Sequence, residues 1–128
     1  VKLMNMLWYS GVLSFIENGF AMTGMVYRHE PMGALPIGHY SLMNLENLNI
    51  KEEMSYNYDT MLHVYPTVGM DYSILSDREK AILDKVIEKF KNYKAKDIVD
   101  YMHEEKAYKE TNAGEIIPFS LAKEIRSF

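Results

Sequence analysis

Ser76-Asp77-Arg78-Glu79-Lys80-Ala81-Ile82-Leu83-Asp84-Lys85-Val86-Ile87-Glu88-Lys89-Phe90 is the stretch from which the fold is read. Ser76 followed by Glu79 is a capping box: the hydroxyl accepts from the Glu79 amide while the carboxylate reaches back to the Ser76 amide. Ile82, Leu83, Val86, Ile87 and Phe90 then recur on one face, and Lys80, Asp84, Lys85, Glu88, Lys89 and Lys91 occupy the rest. That spacing predicts an amphipathic helix with one side against a core. Tyr93-Lys94 breaks the pattern. A shorter helix is predicted from Ala95 to His103, burying Ile98, Val99 and Met102.

Upstream, Lys2 to Asn18 reads as a helix whose apolar residues (Leu3, Met4, Leu7, Trp8, Val12, Phe15, Ile16) cover most of its circumference. Such a helix belongs at the centre of a core. Asn18-Gly19 is its stop, because glycine tolerates the left-handed conformation that closes a helix. Met25-Val26-Tyr27 is a short extended candidate. Pro31-Met32-Gly33-Ala34-Leu35-Pro36 resists both helix and central strand, since each proline lacks a backbone donor and restricts its predecessor. A weakly marked helix is expected from Ile37 to Leu45. Glu52 to Pro66 alternates as a hairpin, with Met54, Tyr56 and Tyr58 on one arm, Leu62 and Val64 on the other, and a turn near Asn57 to Thr60. Downstream, Asn112-Ala113-Gly114 reads as a turn, Ile116-Ile117-Pro118 as a brief extended piece, and Ser120 as the cap of a terminal helix. The expectation is an α+β, helix-dominated single domain over 1–128 with a small antiparallel sheet.

Composition narrows the function classes. The 128 residues suit one domain, and 48% hydrophobic with 25% charged residues is a globular profile. The charge of −4 gives no basic field for nucleic acid, so none is expected to bind this segment alone. With no cysteine there is no disulfide framework, thiol nucleophile or Cys-ligated zinc, which fits the cytoplasm. No apolar run reaches the roughly 20 residues needed to cross a bilayer, and the apolar opening lacks a signal-peptide pattern, so no membrane partner is expected.

Chemical motifs are sparse. His29-Glu30 and His103-Glu104-Glu105 lack the second histidine four residues on, since Gly33 and Ala107 stand there. A metal site built from His29, His39, His63 and His103, and with it a metal-dependent hydrolase, is the least favoured alternative. Neither a nucleophile elbow nor a glycine-rich phosphate loop is present. Glu52-Glu53 and Glu104-Glu105 read as solvated surface rather than acid/base pairs, because neighbours on an element point different ways. No enzyme, cofactor, catalytic residue or metal ligand is therefore assigned. The unusual feature is 10 Met and 10 Tyr, nine of the Met lying between Met4 and Met70. Both types fill cores, and both are also used at protein interfaces.

In order, the segments resemble the Panacea domain, the SocA-like antitoxin family that includes phage-associated GepA-type proteins. Lys2-Leu3-Met4-Asn5-Met6-Leu7-Trp8-Tyr9 resembles the family's opening helix, and Ala21-Met22-Thr23-Gly24 with Tyr27 its Thr-Gly strand entry. Pro31-Met32-Gly33-Ala34-Leu35-Pro36 is similar to its Pro-Tyr-Gly-Pro-Val-Pro turn, with Met32 for the aromatic and Ala34 for the middle proline. Leu75-Ser76 and the helix after it are placed as in the family. Ala95 to Tyr108 resembles its Ser-His-Glu-x-x-x-Trp signature, with Met102 for the Ser and Tyr108 for the Trp. The resemblance spans nearly the whole chain.

It implies a protein-binding antitoxin that neutralises a cognate toxin directly, or in one type of member an adaptor that hands the toxin to a protease. Tyr27, Arg28, Pro31, Met32, Gly33, Pro36, Tyr56 and Tyr58 are the partner-binding candidates, because a proline-flanked turn is rigid before binding and Tyr, Met and Arg suit an interface. His103, Glu104 and Tyr108 are motif residues expected to be structural. A homodimer is a further partner the sequence admits. The family usually begins with a helix before the Lys-Leu segment, and some members carry an N-terminal helix-turn-helix region; from the Val1 start the expectation is that this chain lacks that leading part. The second functional alternative is accordingly a transcriptional autoregulator whose DNA-binding part lies upstream. Direct binding predicts an exposed apolar patch near Pro31 to Pro36 or the hairpin, on the order of several hundred Å².

Overall fold

The computed structural model describes residues 1–38, 48–54, 60–66 and 72–126. The backbone gathers into two compact units, Val1–Ile37 with Leu75–Phe128 and, separately, Gly38–Ile74. The fold is α+β and helix-dominated.

In the first unit, α1 (Lys2–Asn18) is the central element. It packs on α2 (Asp77–Phe90), on α3 (Ala95–His103) and on the hairpin of β1 (Tyr27–Glu30) and β2 (Gly33–Pro36). Two single-turn helices follow, α4 (Lys106–Lys109) and α5 (Phe119–Ala122). Gly19 closes α1 at φ 83°, its amide donating to Phe15 O. Ser76 and Glu79 make the reciprocal capping box, with Glu79 N to Ser76 Oγ at 3.1 Å and Ser76 N to Glu79 Oε1 at 3.0 Å. Asp97 accepts from Lys94 N at 2.9 Å at the start of α3, the carboxylate half of such a box alone, because the Lys94 side chain cannot accept.

The core joins Trp8, Tyr9 and Val12 of α1 to Val86 and Phe90 of α2 and to Ile98 and Met102 of α3. Tyr27 and Ala34 enter it from the hairpin, Ile117 and Ala122 from the C-terminal part. Each fully buried large apolar side chain contributes about 1.5–3 kcal/mol. Aromatic rings form its middle: Tyr9 lies 4.8 Å from Trp8 and 5.0 Å from Phe90, centroid to centroid. Although α1 is central, Leu3 and Ile16 face outward, so its apolar cover is wider than its buried face.

Pro31 to Pro36, expected to resist helix and central strand, forms the β1–β2 turn and an edge strand. Gly33–Pro36 pairs antiparallel with Tyr27–Glu30 in the register Tyr27↔Pro36, Arg28↔Leu35, His29↔Ala34, Glu30↔Gly33. Ile37 N donates to Val26 O at 2.8 Å, which continues the ladder one residue past each strand. Pro36 therefore falls at a position that points away from β1, where its missing N–H costs no ladder bond. On the other edge of β1, the segment 115–117 adds a short third row through His29 N to Glu115 O and Ile117 N to Tyr27 O, both 2.8 Å. The terminal helix is capped by Pro118, with Ser120 inside it rather than at its cap.

The second unit contains β3 (Leu48–Met54) and β4 (Thr60–Pro66), antiparallel from Leu48↔Pro66 to Met54↔Thr60, followed by a 3₁₀ turn at Tyr72–Ile74. The expected hairpin is there, with its first strand starting at Leu48 rather than Glu52. The helix expected from Ile37 to Leu45 falls mostly on 39–47, outside the described residues.

Candidate functional site

The β1–β2 turn is held by three helices at once. Its three successive carbonyls each accept a hydrogen bond from a different one. Tyr108 Oη of α4 donates to Glu30 O at 2.7 Å. His103 Nε2, at the end of α3, lies 2.9 Å from Pro31 O, and because a carbonyl only accepts, this nitrogen carries the proton. Asn5 Nδ2 of α1 donates to Met32 O and to Val1 O, both at 3.0 Å. Asn5 is fully buried; the two bonds satisfy its amide nitrogen, while Oδ1 has no hydrogen-bond partner among the described residues. Gly33 is required beside it. Its φ is 109°, and a Cβ there would meet Asn5 Oδ1 at 2.2 Å.

Tyr108 is also stacked between two imidazoles. His29 lies 3.7 Å from its ring on one face and His103 4.3 Å on the other, with interplanar angles of 18° and 12°. His29 Nδ1 meets Thr111 Oγ1 at 2.8 Å, and that hydroxyl lies 2.9 Å from Ala107 O, so strand β1 is tied to the turn after α4. Burial, and secondarily the neighbouring His103, hold the His29 imidazole below its ordinary value. Burial, with Glu30 adding to it, raises the Tyr108 phenol. Tyr108 stands where the resemblance expects tryptophan, and it keeps what the site uses, a flat ring and one donor.

The adjacent acids divide in two ways that their sequence did not suggest. Glu104 is exposed and pairs with Lys109 at 2.8 Å. Glu105 is completely buried, which corrects the expectation of a solvated pair. Its Oε1 accepts from Tyr9 Oη at 3.0 Å and from Arg126 Nε at 3.2 Å, and its Oε2 from the Arg126 amide at 3.2 Å. Arg126 also donates to Tyr101 O and lies 4.0 Å from the Tyr101 ring centroid. Burial first, and then the Glu105 charge, lift the Tyr9 phenol far above its ordinary range. Burial also pushes Tyr27 up to about 12.

One side of the hairpin sheet packs on α1 and α3, and the other faces outward. The pairing places Val26, Arg28, Leu35, Ile37 and Ile116 together on that outer side. Val26 (48%), Ile37 (48%) and Ile116 (55%) are exposed, as is Met32 (53%) at the turn tip. Among the described residues, the Arg28 guanidinium has no hydrogen-bond or ion-pair partner.

The candidate residues thus separate by position. Arg28, Pro31 and Met32 are exposed, whereas Tyr27, Gly33 and Pro36 are buried and shape the hairpin from beneath. Tyr56 and Tyr58 lie outside the described residues. His103 and Tyr108 act as props for the turn, and Glu104 sits in solvent. Sequence reasoning missed Asn5, Glu105, Val26, Ile37 and Ile116. For Asn5 there was a signal, an amide set among the apolar residues from Leu3 to Trp8. His29 and His103 approach the same ring from opposite sides, so the tyrosine keeps the two imidazoles apart. Among the described residues, no three His, Cys, Asp or Glu gather as metal ligands, and no helix is long and apolar enough to cross a membrane.

Residues 3–109 match the family model described as antitoxin SocA-like, Panacea domain. No curated protein and no solved structure matches the chain. The matched span includes Asn5, the turn, His103 and Tyr108. It stops short of Ile116 and Arg126.

Proposed function

The chain belongs to the SocA-like antitoxin family, Panacea domain, and from that premise we propose that it neutralises a cognate toxin by direct contact, using the outer side of the β1–β2 hairpin. The observation that carries the reading is the clamped turn. Three side chains, from α1, α3 and α4, hold consecutive carbonyls of Glu30, Pro31 and Met32. A surface fixed before binding loses little entropy on docking. Exposed apolar side chains on a rigid support, with an arginine among them, are the composition of an interface centre. The proposed mechanism is steric cover of the toxin, without chemistry on it, in the cytoplasm.

The test is co-expression with the toxin encoded beside this protein, scored as growth. The wild-type chain restores growth. Met32→Asp, Ile37→Asp and Ile116→Asp lose the rescue together while the purified variant keeps its melting temperature. Full rescue by the triple variant refutes this face. Toxin that persists in rescued cells supports cover, and toxin that disappears supports delivery to a protease.

A further inference from the structure

Among the described residues the exposed guanidinium of Arg28 has no partner of its own, in a chain that is acidic overall, with 18 acidic against 14 basic residues. Five exposed lysines of the first unit are paired locally, Lys85 with Glu17, Lys91 with Glu88, Lys96 with Asp100, Lys106 with Glu124 and Lys109 with Glu104, whereas exposed Arg78 is, like Arg28, without an ion-pair partner among the described residues. What sets Arg28 apart is its surroundings. It sits on the middle of three sheet rows, between Leu35 on one side and Ile116 on the other, with Val26 and Ile37 one ladder step away. Apolar neighbours lower the local dielectric once a partner covers them, and a charge pair formed there is stronger than one on an open surface. Glu30 lies two residues along the same strand, at the turn end, so the positive point is confined to the middle of the face.

We propose that this face takes a polypeptide segment of the toxin carrying one carboxylate flanked by apolar side chains, the carboxylate pairing with Arg28 and the apolar groups covering Val26, Leu35, Ile37 and Ile116. The planar guanidinium suits a bidentate carboxylate. This deepens the function proposed above and rests on it. A partner contact that is wholly apolar would leave the guanidinium buried and unpaired, which is unfavourable. A basic contact would be repelled.

The experiment measures toxin affinity and growth rescue for the wild-type chain, Arg28→Lys, Arg28→Leu and Arg28→Glu, with thermal melts as the control of folding. Arg28 makes no ion pair among the described residues, so all four chains are expected to melt alike. Arg28→Glu weakens binding by about 30-fold or more, Arg28→Leu by less, and Arg28→Lys least, the ordering expected for a desolvated charge pair. Toxin variants are then selected that stay toxic alone and are neutralised by the Arg28→Glu chain. They carry an Asp or Glu replaced by Lys or Arg. If the wild-type chain rescues growth and Arg28→Glu rescues it equally well, the acidic contact is wrong while the antitoxin reading stands. If the wild-type chain neither binds nor rescues, the antitoxin reading itself falls.

Discussion

Replacing Gly33 by alanine tests the support beneath the turn. Two separate costs are expected. A residue with a Cβ at φ 109° leaves the favoured regions, for about 1–2 kcal/mol. The new methyl also overlaps Asn5 Oδ1 at 2.2 Å, so the amide must leave its place. Asn5 is buried and holds Met32 O and Val1 O, and orphaning such groups costs about 1–3 kcal/mol. The sum, about 2–5 kcal/mol, corresponds to a fall of about 8–20 °C in melting temperature for a chain of this size. The reporter is at hand, since Trp8 is the single tryptophan and is buried in the same unit. Urea unfolding followed by its fluorescence gives the loss for Gly33→Ala, Asn5→Ala and the double variant. With Asn5 already shortened the overlap disappears, and only the backbone term of about 1–2 kcal/mol remains. Strict additivity of the two changes, or a Gly33→Ala midpoint equal to wild type, refutes the packing of Asn5 against the turn.

Three further outcomes follow from the same geometry. Because His29 is held below its ordinary value of 6.5, the unfolded chain binds that proton more tightly. Its contribution is complete above about pH 6.5 and is lost as pH falls through that value, so urea midpoints decline toward about pH 5 and His29→Asn flattens that part of the curve. Glu105→Ala removes the carboxylate that Tyr9 Oη and Arg126 Nε share and costs about 1–3 kcal/mol by urea unfolding, since Arg126 is half-exposed and keeps its bond to Tyr101 O; an unchanged urea midpoint would show that the network is not needed. Tyr108→Phe removes only the bond to Glu30 O, for about 1 kcal/mol, while Tyr108→Ala also removes the ring between the two imidazoles, for about 3–5 kcal/mol. Equal effects of the two would contradict the stacked arrangement, and differential scanning calorimetry distinguishes them.

Local signals carried most of the helical framework. The bounds of α1 and α3 and the capping box of α2 are legible because helix periodicity, caps and stops act within a few residues. The alternation between Met54 and Val64 likewise marks a hairpin whose arms are neighbours in sequence. Family kinship, too, could be recognised from the order of short motifs. Tertiary structure alone decided the rest. Pro31 to Pro36 argues against a helix or a central strand, but that it forms an edge strand, with Pro36 where no donor is needed, follows only from its pairing with β1. Glu104 and Glu105 are chemically identical neighbours, yet one meets Lys109 in water and the other meets Tyr9, 96 residues away, in the core. The turn depends on Asn5, His103 and Tyr108, which lie 27, 72 and 78 residues from the carbonyls they hold. A side chain's hydrogen-bonding capacity is written in its identity, but which distant group will accept from it is set only when the helices pack.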